Sequence, residues 1–303
     1  MNIQLKISRR IHPVPKILFN LHGKLMPKRP RWLAKRHGDP INAKGDHLHI
    51  YLTLRCNFQC YFCINRQYCE KPHDGWSEAD GTRWLMYLNR LYNIHQLYIQ
   101  GGEPLLHRDI VRIINGLNGF NLCIYTNLPH ARMDKIKQIR AGSNNVIMLI
   151  SYHPLQDSRS VNQFVDDFKQ IPRGIKKHVH LIETPEVSYK LYARAFRRYG
   201  VFLERQDVSM LTEHNPIAKD RFRSVWCNSN MEVVSPDMRV YRCLGLMLRH
   251  IDDYTRHLAD YDFENAGFES CDYYGLCGQC STAKEIRSIE YDAMTEIEAD
   301  ETL

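Results

Sequence analysis

Between His47 and about Met210, short apolar runs alternate with longer stretches of helical periodicity. The runs HLHIYLTL (47–54), HQLYIQ (95–100), NLCIYT (121–126), NVIMLIS (145–151), HVHLIE (178–183) and VFLERQ (201–206) have strand length and are rich in β-branched and aromatic residues. Six such strands separated by helices imply successive βα units and a parallel sheet. Between the first two, Ser77 stands before Glu78, Ala79 and Asp80 as a helix N-cap, and Trp84, Leu85, Leu88 and Leu91 recur at helical spacing. Asp109 opens the next helix, with Ile110, Ile113 and Ile114 on one face; segments 133–139, 161–168 and 189–199 fit the same scheme.

After residue 210 the pattern changes. MEVV (231–234), SPDM (235–238) and RVYRC (239–243) predict a β-hairpin in which Pro236 and Asp237 supply the turn. Residues 284–303 read as a short helix running into an acidic tail. The chain therefore divides into an N-terminal extension (1–45), an α/β unit in the form of a partial (β/α)6 barrel (46–212), a small cysteine-rich, hairpin-containing unit (213–285) and an acidic tail (286–303).

Charge changes this picture at one end only. The formal net charge is +7, but residues 1–45 hold eleven Lys or Arg against the single acid Asp39, so the remainder nets −3. A nucleic-acid-binding body would carry its positive charge on the folded unit, so the basic excess argues against such a partner. The basic arm is a solvated or locally packed extension, with contact to RNA, an acidic peptide or a membrane surface as the functional alternative. No apolar run approaches the roughly 20 residues that cross a bilayer, and there is no secretory signal, so a cytoplasmic location is expected.

The ten cysteines carry the chemistry. Without an export signal they do not read as a disulfide framework. Cys56, Cys60, Cys63 and Cys69 lie near the start, and Cys227, Cys243, Cys271, Cys277 and Cys280 near the end, with only Cys123 between. Cys56, Cys60 and Cys63 are spaced by four and three residues, directly after the first strand. Three thiolates on one compact loop suit a cubane iron–sulfur cluster and leave one iron coordinatively open, whereas zinc usually takes four ligands as two close pairs. Cys69 is a free thiol or a fourth ligand.

This CxxxCxxC loop, an aromatic residue just before its third cysteine (Phe62), and Gly101-Gly102-Glu103-Pro104 after the second strand resemble the radical S-adenosylmethionine (radical SAM) superfamily over roughly residues 47–210. The resemblance implies that Cys56, Cys60 and Cys63 hold a four-iron, four-sulfur cluster, and that S-adenosylmethionine binds its open iron. It implies further that Gly101 and Gly102 permit close backbone approach, that Glu103 accepts from the methionine ammonium group, that Phe62 lies near the adenine, and that Ser151 contacts the ribose. Taken alone, GGEP is a strand-capping turn, and Thr126, Asn127 and Ser151 are ordinary strand-end polar residues at the ligand-facing end of a parallel sheet. The fifth strand lacks the glycine-bearing pattern often found at the adenine site, which leaves contacts from His180 or Glu183 unsupported. His153 reads as a satisfied polar residue.

Cys227 and Cys243 flank the hairpin, and Cys277-Gly278-Gln279-Cys280 adds a close pair. This arrangement resembles the shortened auxiliary-cluster domain called twitch, related to the longer SPASM domain. It implies a second four-iron cluster on Cys227, Cys243, Cys277 and Cys280, with Cys271 left over or an alternate ligand. A four-cysteine zinc site has the same spacing and stays open. An auxiliary cluster implies a net oxidation of a small-molecule or peptide substrate, supported by a reductant such as flavodoxin or ferredoxin. A zinc-containing RNA-binding protein and a catalytically silent iron–sulfur scaffold are the alternatives from other classes.

Overall fold

The structure, a computed structural model, describes residues 28–43, 47–68, 76–207, 225–228, 232–251, 256–258, 260, 269–271, 285–288 and 296–297. All six expected strands form: β1 (His47–Thr53), β2 (Gln96–Gly101), β3 (Asn121–Thr126), β4 (Asn145–Tyr152), β5 (Lys176–Glu183) and β6 (Leu203–Asp207). Each pairs in parallel with the next, in chain order.

Alternation along the strands sorts their side chains onto two faces. Leu48, Ile50, Leu97, Ile99, Leu122, Ile124, Met148 and Val179 pack with Trp84, Leu88, Ile113, Phe164 and Phe196 of the helices in one continuous core. The opposite face carries His49, Tyr51, Tyr98, Gln100, Cys123, Tyr125, Ser151 and His180, in register across the strands. Helices on one face and a polar concave face on the other are what a partial barrel requires. Among the described residues the edge strands do not pair, and the sheet stays open.

The hairpin forms as expected, from β7 (Val233–Val234) and β8 (Arg239–Tyr241), with Ser235 N–H donating to Arg239 O across the turn. It is not detached from the first unit: β7 pairs in parallel with β1, and β9 (Arg256–His257) completes a nine-stranded sheet in the order β9-β8-β7-β1-β2-β3-β4-β5-β6. Val233 and Val234 are fully buried there, which is why this short strand seats on the edge of β1.

Three expectations need correction. The helix after the first cysteines spans Gly81–Leu88 and is capped by Asp80, whose carboxylate accepts from Arg83 N–H, and not by Ser77. Tertiary bonds delay its start: Ala79 N–H donates to Pro236 O and Glu78 pairs with Arg55. Leu91 lies beyond that helix, in a two-residue strand (Leu91–Tyr92) paired with Ile41–Asn42. Residues 28–43 take the locally packed alternative: Arg29 donates to Asn118 O and Leu91 O and lies over the Phe120 ring. The expected C-terminal helix is replaced by strands Glu285–Ser288 and Glu296–Ile297, which with Val225–Asn228 and Glu269–Cys271 make a four-stranded antiparallel sheet. No helix among the described residues is long and apolar enough to cross a membrane.

Candidate iron–sulfur and cofactor site

Parallel strands put their C-terminal ends on one rim, and the chemistry-bearing residues gather there. Thr53 ends β1, Gly101 ends β2, Thr126 ends β3, and Ser151 and Tyr152 end β4. The cysteine loop leaves β1 and crosses this rim before the short helix Ile64–Tyr68.

Both ends of that loop are tied to the Gly101–Glu103 turn. Gly102 N–H donates to Thr53 O at 2.9 Å and Glu103 N–H to Arg55 O at 2.8 Å, while Asn65 Nδ2 donates to Gly101 O at 2.6 Å. The two glycines are needed for this approach. A Cβ on Gly101 would stand 2.1 Å from Thr53 O, and one on Gly102 2.3 Å from Leu54 O and Arg55 O. Gly101 also sits at φ +143°, where side chains are strained. The close approach expected at these glycines is thus between two strand ends, and it sets where the cysteine loop begins. Arg55 is held in turn by a bidentate pair with Glu78, at 2.9 and 2.7 Å.

Cys56, Cys60 and Cys63 are free thiols, and the loop curls so that Cys63 N–H donates to Cys60 O at 3.2 Å. Burial pushes the Cys56 thiol up to about 11, partly offset by the Phe58 N–H and reinforced by Glu103 and Cys63. It pushes Cys60 up to about 12, with Cys63 and Cys56 adding to it. Two thiols held protonated, with Cys63 on the same loop, are soft donors that fit a cationic iron–sulfur core, whose charge would drive their protons off. Among the described residues no three Cys, His, Asp or Glu side chains converge as ligands of a single ion. By their chemistry, three thiols on one short loop suit the soft-ligand demand of an iron–sulfur cluster.

Glu103 is held by the protein on both oxygens. Its side chain has no exposed surface; Oε1 accepts from Leu105 N–H at 2.9 Å and Thr126 Oγ1 at 2.8 Å, and Oε2 from Asn127 N–H at 2.6 Å. Burial raises its pKa to about 7 against the pull of those three donors. Glu103 is a brace between the ends of β2 and β3, and with a single donor on Oε2 its carboxylate keeps acceptor capacity.

Phe62 is buried and stacks on His153, with ring centroids 5.9 Å apart, in a recess lined also by Cys60, Pro154, Ile182 and Thr184. His153 Nδ1 lies 3.8 Å from Cys60 Sγ, and burial lowers its pKa to about 4, so the ring is neutral. Ser151 Oγ and His180 Nε2 are 2.7 Å apart; burial and the neighbouring His153 lower the His180 pKa to about 3. His180 thus belongs to the site through Ser151. Asn127 joins the cysteines: its Nδ2 lies 3.8 Å from Cys56 Sγ and 3.0 Å from Asn57 Oδ1. Its carbonyl accepts from Arg159, which is clamped by Asp157 at 2.6 Å and Asp167 at 2.7 Å.

The second cysteine group is only partly in view. Cys243 immediately precedes the helix Leu244–Leu248 beside the main sheet, whereas Cys227 lies in the four-stranded sheet, opposite Glu269 and Ile286. Cys69, Cys277 and Cys280 lie outside the described residues. The hairpin strands themselves therefore do not pair Cys227 with Cys243.

Residues 50–177 match the family model described as the radical SAM superfamily. Over 142 residues the chain is 32% identical to a GTP 3′,8-cyclase of Listeria monocytogenes, covering 45% of this chain and 39% of that protein. Over 152 residues it is 26% identical to a probable GTP 3′,8-cyclase of Methanocaldococcus jannaschii, covering 48% and 50%. The chain thus spans half or less of the length of these curated relatives. Among solved structures it is similar to native anSMEcpe with bound AdoMet, with a TM-score of 0.46 and 13% identity over 71% of this chain and 79% of that one. The matched segment contains the whole three-cysteine loop, the Gly101–Glu103 turn, the end of β1 and all of β2, β3 and β4, so the likeness to the radical SAM superfamily covers the part of the chain that builds this site.

Proposed function

We propose that this protein is a radical SAM enzyme in which Cys56, Cys60 and Cys63 hold a four-iron cluster and S-adenosylmethionine binds beside it at the strand-end rim. One observation carries the reading: the three-thiol loop is fastened at both ends to the Gly101–Glu103 turn, at the rim of a parallel sheet within the matched domain. Held by Cys56, Cys60 and Cys63, a reduced cluster would supply one-electron cleavage of the sulfonium carbon–sulfur bond and so the means of abstracting hydrogen from substrate. The chain's own residues position and shield. Phe62 and His153 wall an apolar recess for the adenine, Ser151 with His180 offers a hydroxyl to the ribose, and the buried surroundings keep water from the reacting carbon. The electron would come from a reductant such as flavodoxin or ferredoxin.

For the net reaction, the C-terminal cysteine count supports an auxiliary four-iron cluster on Cys227, Cys243, Cys277 and Cys280. Such a cluster would accept the substrate electron and make the outcome an oxidation of a small molecule or a peptide. A second reading is favoured by the names of the curated relatives: intramolecular ring closure on a nucleotide, as in a GTP 3′,8-cyclase. Anaerobically reconstituted protein, reduced in the presence of S-adenosylmethionine and GTP, separates the two. A cyclised GTP isomer supports ring closure; unchanged GTP supports the oxidation reading.

A further inference from the structure

We propose that His153 donates the hydrogen on its Nδ1 to the sulfur of Cys60 and thereby raises the reduction potential of the cluster held by Cys56, Cys60 and Cys63. This rests on the radical SAM reading of the site. Nδ1 lies 3.8 Å from Cys60 Sγ, within hydrogen-bond reach of a sulfur acceptor. Burial lowers the pKa of the ring to about 4, so the imidazole carries a single proton. As an iron-bound thiolate Cys60 can only accept, which assigns that proton to Nδ1. Cys60 is 8% exposed and belongs to an apolar cluster with Phe62 and Ile182, against which Phe58 and Cys63 pack. A hydrogen bond to a charged sulfur is stronger in such surroundings than in water.

The imidazole is held through both its ring and its backbone. Phe62 stacks on it at an interplanar angle of 27°, and Phe58 meets it edge-on with ring centroids 5.7 Å apart. Its carbonyl accepts from Gln156 N–H at 2.9 Å and from Asp157 N–H at 2.8 Å, which closes a tight turn. The same turn reaches back to the cysteine loop, where Gln156 Oε1 accepts from Gln59 N–H at 3.0 Å. Asp157 anchors its far end by pairing with Arg159, which Asp167 holds in turn. Two contacts from one turn therefore land on adjacent residues of the loop, Gln59 and Cys60. A histidine that merely filled the recess would need neither the second contact nor an Nδ1 edge turned to sulfur. Reduction adds negative charge to the cluster, and an N–H donor on a ligand sulfur stabilises that charge, so the bond favours the reduced state. His153 is a positioning residue that acts through Cys60, and its effect falls on how readily a reductant delivers the electron.

The test uses the full chain, reconstituted anaerobically and titrated with reductant, with S-adenosylmethionine as the probe of the cofactor site. Iron content is measured, together with the midpoint potential and electron paramagnetic resonance spectrum of the cluster that Cys60→Ala abolishes. His153→Phe keeps an aromatic ring and loses the donor. It should load iron yet reach, at a fixed reducing potential, a reduced-to-oxidised ratio about two- to tenfold below that of the natural protein. His153→Asn carries an amide N–H at the position of Nδ1 and should keep that ratio within about twofold of natural. An iron-loaded His153→Phe variant with a natural or higher potential, beside natural protein whose spectrum changes on adding cofactor, would overturn this assignment alone. Should His153→Phe fail to load iron, His153→Asn decides: loading at the natural potential supports the bond, and a lowered potential or no iron overturns it. A Cys60-dependent cluster that does not respond to cofactor would overturn the radical SAM reading, with the two variants still deciding the role of His153. Natural protein with no Cys60-dependent cluster would overturn both.

Discussion

Replacing Glu103 with Gln would put an amide nitrogen where the carboxylate now accepts on both oxygens. Whichever way the amide turned, its NH2 group would face a donor: Leu105 N–H with Thr126 Oγ1, or Asn127 N–H. The expected cost is about 1–3 kcal/mol, read by urea unfolding of Glu103→Gln. The pH dependence has a definite sign. Burial raises the Glu103 pKa to about 7 from its ordinary 4.5, so between those values the native state binds more protons than the unfolded one. Its contribution to stability is full below pH 4.5 and is lost as pH rises through about 7. The penalty of Glu103→Gln should therefore shrink from pH 5 to pH 7.5, and a penalty that grows over that range would contradict the burial argument. Thr126, Asn127 and Ser151 were legible as polar residues at strand ends, but their pairing with Glu103 and His180 was not, because it exists only once the strand ends are side by side. Asn65 and Arg159, single polar residues with no periodic signal, were not legible at all.

At the scale of elements, the six strands were legible because each is an apolar run bounded by helical periodicity, and burial on the helix-covered face dictates that composition. What failed were elements decided by distant partners. The helix start moved from Ser77 to Asp80 because Ala79 bonds to Pro236, more than a hundred residues away, and Glu78 is taken by Arg55. Residues 284–303 carry helix formers, yet Glu285–Ser288 is a strand through its pairing with Val225–Asn228. The Gly101–Glu103 turn is the element on which the site depends most. Gly102→Ala places a methyl 2.3 Å from two carbonyl oxygens of the preceding strand end, and backbone has to move to admit it. The expected loss is at least about 2 kcal/mol, together with a fall in iron bound by the three-cysteine loop. Thermal melting and iron analysis of the variant check it; natural iron loading at natural stability would show that the turn does not position the loop.

For the whole molecule, the nine-stranded sheet places the hairpin and Cys243 on the edge beside β1, the strand that leads into Cys56. If Cys243 ligates an electron-accepting cluster, Cys243→Ala should lose about four of about eight irons per chain yet still release 5′-deoxyadenosine, with oxidised product falling well below cofactor cleaved. A folded variant that keeps full coupling would make the second site structural and favour zinc there. The claim beneath all of these is that Cys56, Cys60 and Cys63 form the centre that cleaves S-adenosylmethionine. Its most direct test is release of 5′-deoxyadenosine by anaerobically reconstituted protein with a strong reductant. The natural protein should release it in a reductant-dependent manner and the folded Cys56→Ala/Cys60→Ala/Cys63→Ala variant should release none, whereas equal release from both would contradict the account.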